Sequence, residues 1–431
     1  MALNLGDFGI IRAMKRVLII CDNFPPQSGP RMGYLVKYAK RLGWSSWVVT
    51  AENKSRSDLT GLSGYAEEVH VVPQKPHRKW NLLHMLPFFW PYDYLRGEYD
   101  MRRTALDLIS RVKFDLVLTT HTFGYCFIST AWCVAQKAGL PLVIDIRDIE
   151  EQSPGKPFFQ KSFASKMDTL RSWCSFISNW RSARIHRKAV ALTTISTWHT
   201  QWLKERYNPN TLCIFNGFDP ELFKPIAPVP NDRFEIVYTG TLGTPLIRDY
   251  EFLIQTVQHL AQTGRITADR FRVRFFCGAI VAENPIRQRV AELGIEDFCE
   301  FLDFVPLSEV PSLFARASCL LLLAAKSGPR GTHGIMTTKF FEYLAANRPI
   351  LCVRSDEECL EAAIRETNAG CAARTQEETE AFLLALWNEW SQNGVTKGRT
   401  LENKLSLFSR ETQARQFCEL FERIVEQKQG K

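Results

Sequence analysis

A chain of 431 residues is too long for one ordinary domain and predicts two. With 45% hydrophobic and 23% charged residues the sequence is neither disordered nor fibrous, and no apolar run is long enough to cross a bilayer as a helix. The net charge of +8 is uneven: residues 1–225 carry 30 Lys and Arg against 19 Asp and Glu, the rest 24 against 27, so an anionic partner is expected to meet the first half.

Taken in chain order, residues 1–13 lack the basic start, apolar core and cleavage site of a secretory signal and read as a loose extension. Val17–Ile20 is a β-branched apolar run that predicts a buried strand. A Pro/Gly turn over Phe24–Pro30 and a helix from Met32 to Leu42 follow. Strands are then predicted at Trp47–Thr50, Val69–Val72, Asp115–Thr119, Leu142–Asp145, Ala191–Ile195 and Leu212–Phe215. Three prolines within Lys224–Asp232 mark a linker, after which the same alternation restarts. Its strands are expected at Phe234–Tyr238, Phe271–Phe276, Glu300–Leu302, Cys319–Leu323 and Pro349–Val353. Strands alternating with helices predict parallel βαβ units. The expected fold is thus α/β: two doubly wound Rossmann-like domains, 1–225 and 226–408, facing a cleft, with a C-terminal helix over 409–431 packing back toward the first domain. In that helix Phe417, Leu420, Phe421 and Ile424 share one stripe.

The residues with chemistry lie at predicted strand ends, where doubly wound sheets bind ligands. The loop Gly331–Thr338, rich in glycine and hydroxyls, follows the strand Cys319–Leu323 and opens the helix Lys339–Ala346. A glycine loop at a helix N-terminus offers N–H groups and a positive dipole end to a phosphate. Thr337 and Thr338 add hydroxyls, and Glu342 is placed to accept hydrogen bonds from a ribose or sugar. Lys339 in the first turn opposes the helix dipole, so an anion is expected to compensate. An ordinary βα loop with a surface Lys and Glu would leave the same pattern. His121 ends a predicted strand and faces the predicted cleft, as do Asp145 and Asp148. Asp145, Arg147 and Asp148 read either as cleft groups or as an internal Arg–Asp pair. Arg31, just past Gly29, is placed to meet a phosphate of donor or acceptor.

The run Gly334–Ile350 resembles the donor-site signature of the family 4 glycosyltransferases of the GT-B fold, in the branch common among bacterial capsule and O-antigen sugar transferases. Three further islands stand in the family's order: Asp22–Gly29; Thr194–Leu203 with Asn216–Pro225; and Tyr238–Gly243. The resemblance implies that Glu342 binds the donor ribose, and that Gly334, Ile335, Thr337 and Thr338 meet its diphosphate and sugar. It also implies that Gly240 and Gly243 let the donor phosphate approach the backbone. Arg248 and Lys339 stand for the basic pair that neutralises the leaving diphosphate, and His121 contacts the transferred sugar. Gly29, Arg31 and Asp148 belong to the acceptor side or the cleft. Many relatives carry a Glu where this chain has Gly334. Relatives retain anomeric configuration, with no metal and no cofactor, the nucleotide-sugar being itself the substrate.

Two stretches, residues 80–94 and 158–190, mix Trp, Phe and Tyr with Lys and Arg, which suits an anionic membrane surface and a lipid-linked glycan acceptor. No nucleic-acid recognition motif accompanies that charge. The twelve cysteines are scattered with no Cys-x-x-Cys pair, as reduced core thiols of the cytosol would be. The expected product is a transferase at the inner face of the cell membrane that serves surface polysaccharide synthesis. The alternative is a non-catalytic GT-B partner subunit, and the missing Glu at Gly334 is its support. A dehydrogenase is disfavoured because no Gly-x-Gly-x-x-Gly follows the first strand.

Overall fold

The computed structural model describes residues 14–52, 60–73, 90–121, 127–149, 152, 180–242, 248–278, 285–328 and 332–430. The first sheet contains β1 (Lys15–Cys21), β2 (Trp44–Ala51), β3 (Glu68–Val72), β4 (Leu116–His121), β5 (Leu142–Ile146), β6 (Ala191–Thr194) and β7 (Thr211–Cys213). Around it lie α1 (Pro30–Arg41), α2 (Trp90–Arg111), α3 (Ile128–Ala138), α4 (residues 180–188) and α5 (Thr197–Arg206). The second sheet contains β8 (Phe234–Thr239), β9 (Phe271–Phe276), β10 (Cys299–Leu302), β11 (Cys319–Leu323), β12 (Ile350–Val353) and β13 (Gly370–Ala372). Its helices are α6 (Glu251–Gln262), α7 (Pro285–Glu292), α8 (Val310–Arg316), α9 (Thr338–Ala346), α10 (Cys359–Thr367) and α11 (Gln376–Asn393). The chain ends in α12 (Glu402–Leu405) and α13 (Arg410–Gln429).

Every strand pairing is parallel, in the orders β3-β2-β1-β4-β5-β6-β7 and β10-β9-β8-β11-β12-β13. Both are doubly wound, reversing direction at β1/β4 and at β8/β11, as the strand–helix alternation predicts. The apolar runs form strands because both faces of a parallel sheet are covered. In the first domain Leu18, Ile20 and Val117 pack with residues of α2 and α3 on one face. Val17, Ile19 and Leu116 pack with α1 and α13 on the other.

Helix α13 belongs to the first domain's core although it ends the chain. Phe417, Leu420, Phe421 and Ile424 are all buried there, and Phe421 meets the Trp44 ring edge-on at 5.2 Å. To reach it the backbone crosses between the domains a second time. That crossing lies beside the first, with Ser409 bridged in parallel to Phe218. The Phe218 N–H donates to the Phe408 carbonyl at 3.0 Å, and the Arg410 N–H to the Phe218 carbonyl at 2.8 Å. A Cβ on Gly217 would stand 2.5 Å from the Phe408 carbonyl oxygen, so only glycine fits the crossing. Among the described residues no helix is long and apolar enough to cross a membrane.

Candidate functional site

The β8/β11 reversal brings together the end of β8, the loop after β11 and the start of α9. Thr337 precedes the first turn of α9 in an extended conformation, its side chain caps no N–H, and no acidic residue lies in that turn. The helix end therefore keeps donors and a positive dipole for an outside anion. Lys339 stands in the same turn and reaches back over β8, with its ammonium 5.6 Å from the centre of the Tyr238 ring. Gly240, at φ 108°, makes this possible: a Cβ there would lie 2.5 Å from Cε and 2.7 Å from Nζ of Lys339. The space that a side chain would take at Gly240 thus houses Lys339.

Lys339 and Glu342 are both half-buried, and neither makes a hydrogen bond or ion pair with another described residue. Burial, and after it Arg248, pushes the Lys339 ammonium down to about 8, against the pull of Glu342. Burial raises the Glu342 carboxyl, with Lys339 and Arg410 acting the other way. Arg410, the first residue of α13, is buried over the Tyr34 ring at 5.3 Å, with its Nε unpartnered. The Arg248 Nε is likewise buried without a partner. Arg410 Nη1 is engaged by Asn216 and Gln413, but the Nε of both arginines is unspent. With Arg248 acting on Lys339 and Arg410 on Glu342, the groups offer cations and a carboxylate of the kind that a diphosphate linked to a sugar would match.

The loop after β11 is held against the first domain. The His333 ring stacks on Trp198 at 4.8 Å and 8°, and its carbonyl lies 3.0 Å from His199 Nε2. The His333 N–H donates to Gln152 at 2.8 Å. Glu358 sits 2.6 Å from His333 Nδ1 and accepts from the Gly334 N–H at 3.2 Å. Gly334 has φ 68°, and a Cβ on it would stand 2.8 Å from Ser196 Oγ and 2.9 Å from His199 Cδ2. Glycine is required here because the two domains touch at its α-carbon. Beside it Ile335 is 41% exposed and Met336 is buried.

Arg31 corrects the expectation that it meets a phosphate. It is 1% exposed, and its donors are all engaged: Nε and Nη2 on the Asp145 carboxylate at 2.8 and 2.9 Å, Nη2 also on the Ile214 carbonyl, and Nη1 on Phe215 and Asn216. The Arg–Asp pair is internal, but it joins Asp145 to Arg31 and not to Arg147. Gly29, at φ 85°, caps α1 so closely that a Cβ would lie 2.4 Å from the Asn23 carbonyl oxygen, which makes it a turn residue. His121 ends β4 and lines one small cavity with Asp148, His186 and Tyr207. Gly243 and Gly331 lie outside the described residues, as does most of the two basic–aromatic stretches.

Four contributors escape the sequence reading: Arg410, Glu358, His186 and the Trp198–His333 stack. Arg410 did carry a signal, since a cation at the first position of a helix opposes the dipole just as Lys339 does.

No protein-family pattern matches the chain, and no curated protein sequence does. Solved structures do match in shape. Sucrose-phosphate synthase from Thermosynechococcus elongatus superposes with a TM-score of 0.66 over 95% of this chain and 99% of its own, at 13% identity. HepE of Anabaena, solved with UDP and glucose, gives 0.62 over 95% and 99%, at 14% identity. A Listeria monocytogenes protein assigned as a UDP-N-acetylglucosamine 2-epimerase gives 0.53 over 94% and 95%, at 11% identity. Likeness at such identities establishes architecture and leaves the reaction to the site. Two parallel doubly wound domains of this topology, overlaid on these structures along nearly their whole length, give the chain the GT-B fold.

Proposed function

We propose that the protein is a glycosyltransferase that takes its sugar from a nucleotide-sugar donor bound at the start of α9. The observation that carries this reading is the half-buried Lys339–Glu342 pair, unpartnered among the described residues, beside an uncapped helix end. Lys339, Arg248 and the α9 N–H groups neutralise the charge that develops on the departing diphosphate. Glu342 accepts hydrogen bonds from the ribose hydroxyls. The same cations serve without a metal ion. A structure of this fold holding UDP-glucose, that of HepE, agrees with such a donor. In this reading His121 approaches the transferred sugar from the facing domain, and transfer proceeds with retention.

The acceptor is proposed to be a lipid-linked glycan of surface polysaccharide synthesis, met at the cytoplasmic face of an anionic membrane. Exposed Tyr99 and Trp180, each under an arginine at 5.7 and 5.9 Å, support that orientation for the first domain. The contact at Gly334 gives glycine there a steric reason that does not require loss of a catalytic group, which favours the enzyme over the partner-subunit reading.

Calorimetric titration with UDP-, GDP- and dTDP-sugars tests the donor site: one of them binds, and binding of none overturns the reading. Incubating the bound donor with membrane extract and following its sugar by NMR separates transfer, which frees nucleoside diphosphate, from epimerisation, which does not. Co-sedimentation with anionic vesicles at low salt tests the membrane face, and absence of the protein from the pellet removes it.

A further inference from the structure

His333 lies in the loop that leads from β11 into α9, and four of its contacts are fixed. Its N–H donates to Gln152, and its carbonyl accepts from His199 Nε2 at 3.0 Å. Its ring lies nearly flat on Trp198 of α5, with the centres 4.8 Å apart. Its Nδ1 meets one oxygen of the Glu358 carboxylate at 2.6 Å, and the other oxygen takes the Gly334 N–H at 3.2 Å. The remaining nitrogen, Nε2, has no hydrogen-bond partner among the described residues, and 25% of the side chain stays exposed.

A carboxylate only accepts, so the bond to Glu358 puts a proton on Nδ1, and the lone pair of the neutral ring stands at Nε2. Held between Glu358 and the Trp198 face, the ring does not turn over to exchange its nitrogens. A carboxylate behind an imidazole fixes the opposite nitrogen in this way wherever the ring must accept. The surrounding charge selects what it accepts from. Glu358 has already taken the Gly334 N–H and sets a negative charge beside the ring, which disfavours a phosphate there. His199 adds no positive charge, because burial pushes it down to about 4. The cations Lys339 and Arg248 act together beside Gly240. The diphosphate therefore belongs with them, and an uncharged hydroxyl suits His333.

We propose that His333 Nε2 accepts a hydrogen bond from a sugar hydroxyl in the cleft, with Glu358 and Trp198 as positioning residues that hold the ring for it. The proposal deepens the donor-site reading and rests on it, whereas the proton on Nδ1 does not.

Long-range proton–nitrogen correlation on protein labelled with nitrogen-15 histidine reads the ring directly, assigned through its contact with Trp198. A pyrrole-like Nδ1 with a pyridine-like Nε2 supports the inference, and a pyrrole-like Nε2, in a neutral or a charged ring, overturns it. His333→Phe keeps a ring on Trp198 without nitrogen. Calorimetry then compares the nucleotide-sugar that binds with its own nucleoside diphosphate. If the hydroxyl is the donor's, the nucleotide-sugar binds about tenfold more weakly and the nucleoside diphosphate binds as before. If it is the acceptor's, both affinities hold and transfer onto membrane extract slows about tenfold. His333→Gln, whose amide oxygen can stand where Nε2 stood, recovers part of the loss. A weakening shared by the nucleoside diphosphate, no loss in any measurement, or a glutamine variant as impaired as the phenylalanine one overturns the role. Should neither variant fold, the spectrum of the unaltered protein decides by its Nδ1 and Nε2. A protein that binds no nucleotide-sugar fails the functional reading, while that spectrum still decides the tautomer.

Discussion

Lys339 occupies the first turn of α9, where the helix dipole, Arg248 and burial all disfavour its charge. With its folded pKa near 8 and an unfolded value of 10.5, the folded protein carries a penalty that is complete below pH 8. That penalty is relieved as pH rises toward the unfolded value. Lys339→Met is therefore expected to stabilise the unliganded protein at neutral pH by about 1–2 kcal/mol, after discounting for partial exposure, with the gain vanishing in strong alkali. The same substitution should weaken donor binding, and in the unaltered protein that binding should fade as pH rises through about 8, where the ammonium is lost. Urea midpoints and calorimetry across that range check both signs; a destabilised methionine variant would contradict the account. Arg31 behaves in the opposite way. Arg31→Met strands the buried Asp145 carboxylate and should cost about 3–5 kcal/mol in urea unfolding, with donor affinity unchanged in the folded fraction. A selective loss of donor affinity would return Arg31 to the site.

At the scale of elements, α13 is a C-terminal helix that completes an N-terminal core. Phe421→Ala should cost about 3–5 kcal/mol through the cavity left against Trp44, and the first domain should be the one that unfolds earlier. Hydrogen exchange resolved by segment would show it, and protection lost only in the second domain would refute it. The apolar stripe of this helix was legible because its period is local, and so were the strands with β-branched or leucine runs. Strand β13 was not: Gly370–Ala372 is short and carries no pattern, and it pairs only because Gly370 admits the Ile350 backbone. The site divides along the same line. Lys339 and Glu342 lie one helical turn apart and could be read from a single segment. Arg31 could not, because its partner Asp145 lies 114 positions away, and sequence shows a cation without showing that its donors are engaged. Glu358 likewise acquires its role only from the fold that brings it to His333 and Gly334.

Across the whole molecule, the domains meet through Gly334, His333 and Trp198 and are joined by two backbone crossings. Gly334→Ala places a methyl into Ser196 and His199 and forces a non-glycine residue to φ 68°, at a backbone cost of about 1–2 kcal/mol. The expected response is separation of the domains at that contact, seen as a larger radius of gyration by solution scattering; an unchanged radius would show that the contact yields locally. The paired crossings govern how such a separation can proceed. A single flexible tether leaves a domain three rotations. Two backbone segments lying side by side and hydrogen-bonded at Phe218 and Arg410 leave chiefly the rotation about the line that joins them. A ligand spanning the cleft then has one coordinate to arrest, and the orientational entropy lost on closure is correspondingly small.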